Sequence, residues 1–317
     1  SAPYDQVHSL ESLYTLFLVR GTFSLSYVII TEKVVDSLEF HSQDLFGPSG
    51  NLGRHLPNYE YRQEQVTMAE HIYEALMNES HAVVEAGTGV GKTLAYLIPL
   101  IYFTVSQKKR AVIATHTITL QEQLFDKDIP FLQTVLPIDF KVEVFKGRSN
   151  YLCLRRLQDV LHGRDRQLSL LENLEPLHLW VQTTETGDRN DAPSPIPQDL
   201  WNAVCCEKES CPEELCPHFR DCFYWGLRHK LSDAQIIITN QAMLLADLRT
   251  EGSVLPKYHA VVVDEAHNLE DVATNTFSHE LNRETFLTYY RTGIQLQAEL
   301  QGFVPEYVIQ DFRLTLD

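Results

Sequence analysis

Two short stretches of the chain carry residues that could hold and cleave a nucleoside triphosphate. The first is Ala86-Gly87-Thr88-Gly89-Val90-Gly91-Lys92-Thr93, and the second is Asp264-Glu265-Ala266-His267. Glycines without side chains let backbone N–H groups close around phosphate oxygens, and a helix N-terminus behind them adds its positive dipole end. Lys92 is then expected to reach the β- and γ-phosphates, and Thr93 to hold Mg²⁺. In the second stretch Asp264 is the expected Mg²⁺ ligand, directly or through water. Glu265 is expected to orient or deprotonate the attacking water. The general pattern opens on Gly, and here that position is Ala86. A glycine run alone could be a turn with no ligand. Gly-Lys-Thr between a strand and a helix, with an acidic motif downstream, argues for a nucleotide site.

The elements that must position these residues are legible around them. His81 to Glu85 reads as a strand, and Leu94 to Ile98 as the start of a helix. Ala260-Val261-Val262-Val263 is a short apolar run typical of a buried parallel strand, and a carboxylate at its C-terminal end is where an open α/β sheet places ligands. Ala111 to Thr115 and Ala234 to Thr239 read as further strands. Tyr59 to Asn78 and Leu120 to Phe125 read as helices. No internal repeat is present.

A second group of residues points to a metal. Cys205, Cys206, Cys211, Cys216 and Cys222 fall close together, and Cys153 stands alone upstream. The core spacing Cys211-x4-Cys216-x5-Cys222 is not the paired Cys-x2-Cys pattern of a zinc ribbon. Thiolates at looser spacing, with a distant fourth, suit a cubane iron–sulfur cluster. Zinc remains the alternative, and Cys205 or Cys206 could replace Cys211 as a ligand or be buried thiols.

The 317 residues suggest about two domains, or one with a sizeable insertion. The net charge of −17 is unfavourable for binding nucleic acid over the whole surface. Between residues 146 and 166, however, Lys146, Arg148, Arg155, Arg156, Arg164 and Arg166 face only Asp159 and Asp165. This local excess suggests a nucleic-acid contact, or else a solvated helix face. Residues 13–30 are apolar but interrupted by Arg20, with no basic region before them, so they fall short of a signal peptide or membrane span. The expectation is a cytoplasmic chain whose cysteines are not disulfides.

The interval from Lys92 to Asp264 exceeds the order of 80–100 residues that a few βα units need. The surplus matches residues 146–231. That segment holds all six cysteines, the basic patch and a stretch from Thr183 to Pro197 read as flexible.

At these residues the chain resembles the N-terminal part of a DinG-type DNA helicase, a superfamily 2 group related to the XPD helicases. The resemblance covers roughly residues 57–275. Arg62-x-x-Gln65-x-x-Met68 resembles the adenine-recognition motif. Thr115-His116-Thr117, with Leu120 and Gln121, resembles the motif that grips a single-strand backbone. Gly147-Arg148-Ser149-Asn150-Tyr151-x-Cys153 resembles the approach to the first cluster ligand, and Cys211, Cys216 and Cys222 match the other three in spacing. Thr239-Asn240-Gln241-Ala242 resembles a Thr-Asn-His-Ala segment, with Gln241 in place of His. Asp264 to His267 matches the DEAH helicase box, in which the His couples hydrolysis to DNA movement. Ala at position 86 is a normal helicase variant.

The resemblance implies an α/β fold: a RecA-like P-loop domain with a parallel sheet over 57–145 and 232–275, interrupted by an iron–sulfur cluster domain over 146–231. Residues 276–317 would begin a helical arch, and residues 1–56 an N-terminal extension or linker. It further implies ATP, Mg²⁺ and a [4Fe-4S] cluster, and 5′→3′ translocation by a monomer on single-stranded or forked DNA in repair. A second RecA-like domain is expected to complete the ATP site, so the 317 residues read as a fragment inactive in unwinding. Tyr151, Phe219, Phe223, Tyr224 and Trp225 could stack on bases or pack a small metal domain. The rival reading is a metal-stabilised nucleic-acid-binding or sensor module with a regulatory nucleotide site.

Overall fold

The computed structural model describes the backbone of residues 25–30 and, in full, residues 38–87, 89–162, 174–208 and 210–278. The chain divides into two units, 1–276 and 277–317. Thr88, Arg164, Arg166 and nearly all of the stretch read as an arch lie outside the described residues.

One sheet organises the first unit. Its strands are β1 (Leu25–Ile30), β2 (Ala82–Glu85), β3 (Ala111–Thr115), β4 (Val142–Val144), β5 (Ile236–Asn240) and β6 (Ala260–Val263), in the order β2-β1-β6-β3-β5-β4. β3 runs parallel to both β5 and β6, and β4 runs parallel to β5. The expected parallel sheet is therefore present, with one departure. β1 pairs antiparallel with β2 and with β6, between the strand before the glycine loop and the strand before Asp264. It comes from the segment read as an extension or linker. Its sequence, Leu-Ser-Tyr-Val-Ile-Ile, is β-branched and aromatic, the composition that suits a pleated surface.

Period-two alternation divides the strands between two cores. Ala111, Ile113, Ile236, Ile238, Ala260 and Val262 face one core, whereas Val112, Ala114, Ile237, Val261 and Val263 face the other. Both faces are covered, which is why these strands read as unbroken apolar runs. The first core is closed by α3 (Gln63–Met77), α4 (Lys92–Ser106) and α6 (Ile129–Val135). Fully burying a side chain such as Ile101 contributes about 1.5–3 kcal/mol. Two short helices, α1 (Ser42–Phe46) and α2 (Asn51–His55), pack beside them, and α5 (Ile118–Gln123) follows β3. α3 begins later than the sequence suggests. Arg62 is extended at its N-cap, and Tyr59 donates its hydroxyl to the Phe46 carbonyl at 2.6 Å.

A third core lies within residues 146–231. Leu157 and Val160 of α7 (Leu154–Leu161), Leu177 and Trp180 of α8 (Leu174–Val181), and Leu200 and Trp201 of α9 (Gln198–Val204) close on one another. Helix α10 (Phe223–Asp233) returns the chain to β5. The Thr183–Pro197 stretch read as flexible is tied down at its middle. Tyr151 bridges Asp188, the Leu152 N–H donates to the Gly187 carbonyl at 2.9 Å, and Asp188 meets Lys146 at 2.6 Å. Composition alone does not reveal such long-range partners.

Candidate nucleotide site and cysteine cluster

The glycine loop follows β2 directly and ends where α4 begins, with Gly91 at its N-cap. Gly89 and Gly91 take φ of 83° and 80°, a left-handed conformation that L residues adopt at a cost. At Gly91 space is closed as well. A Cβ there would stand 2.3 Å from Gln65 Nε2, which donates to the Gly91 carbonyl at 2.9 Å. Arg62 donates to the Gly89 carbonyl and also pairs with Glu60 at 3.0 Å. Arg62 and Gln65 thus both sit against the loop and bind its carbonyls. Ala86 packs on the first core, whereas Gly87 is open on its Cβ side. Val90 is half-buried.

The acidic motif begins where β6 ends. The Asp264 N–H extends the ladder to the Ala114 carbonyl at 2.9 Å, and Asp264 itself is buried. Glu265 has φ 52°, ψ 45°, left-handed geometry costing about 1–2 kcal/mol for a residue with a Cβ. Two contacts hold that turn. Asp264 Oδ1 accepts from the Glu265 N–H at 3.0 Å. Gln241 Nε2 donates to the carbonyls of Asp264 at 2.8 Å and Glu265 at 3.2 Å.

These turns bring the two motifs together. Lys92 Nζ lies 3.8 Å from Glu265 Oε1, and His267 Nδ1 lies 3.5 Å from Glu265 Oε2. Asn268 Nδ2 contacts His267 Nε2 at 3.1 Å, so the imidazole is held on both sides. Behind them Tyr96 of α4 donates to Asp264 Oδ2 at 3.2 Å. Among the groups that could hold a divalent cation, Thr93 stands at the start of α4 and Asp264 at the end of β6. A hydroxyl and a carboxylate are the hard oxygen donors Mg²⁺ prefers.

The sequence reading missed two of these residues. Tyr96 read as one more apolar helix residue, although its spacing of three from Thr93 puts both on one helix face. Gln241 was noted only as a departure from a family pattern. In the structure it opens α11 (Gln241–Arg249), behind Asn240, whose side chain accepts from the Met243 N–H at 2.8 Å as a helix cap.

The segment expected to grip a nucleic-acid backbone is mixed in character. Thr117 caps α5 by accepting from the Leu120 N–H at 3.2 Å, and His116 is exposed at the end of β3. Thr115 and Gln121 are fully buried and face the interior.

The described cations of the basic patch do not form an open surface. Lys146 is buried, 2.6 Å from Asp188 and 3.1 Å from Glu122. Burial opposes its charge, but the two carboxylates outweigh burial and raise its pKa. Arg148 lies over the rings of Tyr224 and Trp225, at 4.5 and 5.7 Å. Arg155 donates to the Ser210 carbonyl at 2.7 Å and pairs with Asp159. Arg156 donates to the carbonyls of Ala203 and Asn202 and pairs with Glu207. These four residues brace the insertion from within, so neither a phosphate-binding patch nor a solvated helix face describes them. The aromatic group is likewise packing. Tyr151 and Tyr224 are buried with centroids 6.1 Å apart, and Trp225 closes on Tyr224 and Phe219.

Backbone pairing separates the two adjacent cysteines. Leu152 bridges Cys205, the Cys153 N–H donates to the Val204 carbonyl, and the Cys206 N–H donates to the Tyr151 carbonyl. Alternation then sends Cys205 with Leu152 into the third core, and Cys206 with Tyr151 into the second. Cys153 and Cys222 pack against that second core. Burial first, then the charges of Cys153, Cys211 and Cys222, push the Cys206 thiol up to about 12. Cys216 lies in a surface turn beside Leu215, which is 88% exposed. Among the described residues no group of three or more His, Cys, Asp or Glu side chains is arranged to hold a single metal ion. No described helix is long and apolar enough to cross a membrane.

A mostly parallel sheet covered on both faces, with a glycine loop feeding a helix beside an acidic strand end, is the arrangement of a RecA-like P-loop domain. Comparison with known proteins narrows this class. The DEAD/DEAH box helicase family matches residues 65–184, and the DEAD_2 family matches residues 202–286. The chain is 34% identical over 289 residues to the ATP-dependent DNA helicase YoaA of Escherichia coli, covering 86% of this chain and 45% of that relative. It is 36% identical over 242 residues to the ATP-dependent DNA helicase DinG of Photobacterium profundum, covering 70% and 35%. It is 31% identical over 262 residues to a Bacillus subtilis protein named 3′-5′ exonuclease DinG, covering 82% and 28%. The chain belongs to the DinG-type superfamily 2 helicases, and it spans less than half the length of these relatives.

Proposed function

We propose that this chain forms the ATP-hydrolysing domain of a DNA helicase that moves 5′→3′ along single-stranded DNA. The observation that carries the reading is the meeting of Lys92 and Glu265 across the sheet at 3.8 Å. In this reading Lys92 neutralises the β- and γ-phosphates of ATP, and the backbone of 86–91 cradles them. Arg62 and Gln65 stand beside the loop, close to where an adenine must lie. Thr93 and Asp264 hold Mg²⁺, which supplies charge neutralisation on the phosphates when bound. Glu265 takes a proton from, or orients, the attacking water. Until the nucleotide arrives, its contact with Lys92 keeps the two charges compensated. His267, touching Glu265, relays the state of the phosphates toward the DNA-binding surface.

The second part of the proposal is a [4Fe-4S] cluster on Cys153, Cys211, Cys216 and Cys222, making residues 146–231 a structural wedge where the duplex splits. Cys153 and Cys222 pack against the core that holds the buried Cys206, and soft thiolate sets suit iron–sulfur clusters. A second RecA-like domain, on a monomeric and cytoplasmic protein acting on forked DNA in repair, completes the reading.

The test is Glu265→Gln in the intact protein. ATP binding should persist within about threefold while DNA-stimulated hydrolysis and unwinding fall by on the order of 10²–10⁴. Unwinding that survives this change would instead support the sensor reading with a regulatory nucleotide site.

A further inference from the structure

Tyr96 lies in α4 one turn beyond Thr93 and is fully buried. Its phenol donates to Asp264 Oδ2 at 3.2 Å, although the two residues are 168 positions apart. The phenol therefore braces one of the residues proposed to hold the divalent cation, from the side away from solvent.

The direction of this hydrogen bond matters. An ionised carboxylate only accepts, so the phenol gives its one hydrogen to Asp264 Oδ2. The carboxylate is then fixed at both ends, because Asp264 Oδ1 accepts from the Glu265 N–H at 3.0 Å.

We infer that Tyr96 is a positioning residue for the catalytic cation, orienting the Asp264 carboxylate toward the ion. The inference rests on the nucleotide-hydrolysis reading above. A buried phenol suits the task better than a water molecule, because it cannot leave the site when the cation does.

The experiment is Mn²⁺ titration of the intact protein saturated with a non-hydrolysable ATP analogue, followed by the electron paramagnetic resonance of free Mn²⁺. Tyr96→Phe keeps the ring and removes only the hydroxyl. It should weaken Mn²⁺ binding about tenfold, with analogue affinity in EDTA unchanged within about twofold. The Mg²⁺ concentration for half-maximal hydrolysis should rise by a similar factor. Mn²⁺ affinity unchanged in Tyr96→Phe, or equal losses with and without metal, would overturn the inference. Failure of the unaltered protein to bind the analogue with Mn²⁺ would instead overturn the nucleotide reading beneath it.

Discussion

Lys92 Nζ and Glu265 Oε1 stand 3.8 Å apart, one at the first position of the helix after the glycine loop and the other just past the end of β6. Each lies at a strand-to-helix junction on the same edge of the sheet. Both side chains are mostly buried. Bringing ATP phosphates to Lys92 replaces the carboxylate partner with a more highly charged one and releases Glu265 toward water. Lys92→Ala should therefore lower kcat/KM for ATP by on the order of 10²–10³. Steady-state hydrolysis with single-stranded DNA present checks this.

The two left-handed glycines of the loop should differ in tolerance. Gly89 has open space at its Cβ position, so Gly89→Ala meets only the backbone cost of about 1–2 kcal/mol. At Gly91 the new methyl also collides with Gln65 Nε2. Gly91→Ala should lose at least tenfold more nucleotide affinity than Gly89→Ala, measured with a fluorescent ATP analogue. Equal losses would show that Gln65 moves aside freely.

Lys146 ties Asp188 of the insertion to Glu122 of α5. Lys146→Met leaves Asp188 buried without its cation, and breaking a buried pair in this way costs about 3–5 kcal/mol. The melting temperature should fall accordingly. Because the folded pKa of Lys146 is raised, its contribution is fully present below the unfolded lysine value of about 10.4. It is lost as pH climbs through the folded value. The unaltered protein should thus lose more stability than Lys146→Met above about pH 10.4, and the two should run parallel at neutral pH.

Cysteine substitutions should sort by which core they face. Anaerobically purified protein should carry about four irons and four sulfides per chain, and Cys153→Ser, Cys211→Ser, Cys216→Ser or Cys222→Ser should each lower that content. Cys205→Ser should leave it unchanged, since its side chain joins the Leu152 and Trp201 core. Metal analysis and the visible absorption spectrum check this. Stoichiometric zinc, or no metal, would remove the cluster from the proposal.

Arg155 and Arg156 are engaged with carbonyls and carboxylates of their own domain. Replacing both with Gln should lower the melting temperature yet leave the salt dependence of DNA binding unchanged. Had they contacted phosphates, the slope of log K against log salt would lose about 0.7 per contact on a single strand. Binding isotherms at several salt concentrations decide between these outcomes.

Much of the site was legible in the sequence because its chemistry is local. A glycine loop, Lys92 and Thr93 must be contiguous, since one helix N-terminus presents them all. Asp264 and Glu265 follow one buried strand, whose apolar run marks its position and end. β3 and β6 were likewise readable to the residue, because a strand covered on both faces leaves no polar position to blur its limits. The tertiary structure decided what depends on distant partners. Composition could not show that Tyr96 reaches Asp264, that Gln241 holds the Glu265 turn, or that β1 enters the sheet. Nor could it show that the charges of 146–156 are bound internally, since a cluster of like charges looks the same whether it faces phosphate or its own carboxylates. Cys205 and Cys206 make the point most simply. As neighbours in sequence they are equivalent candidates, and only the pairing of Leu152 with Cys205 sends Cys205 into the third core and Cys206 into the second, which Cys153 and Cys222 border.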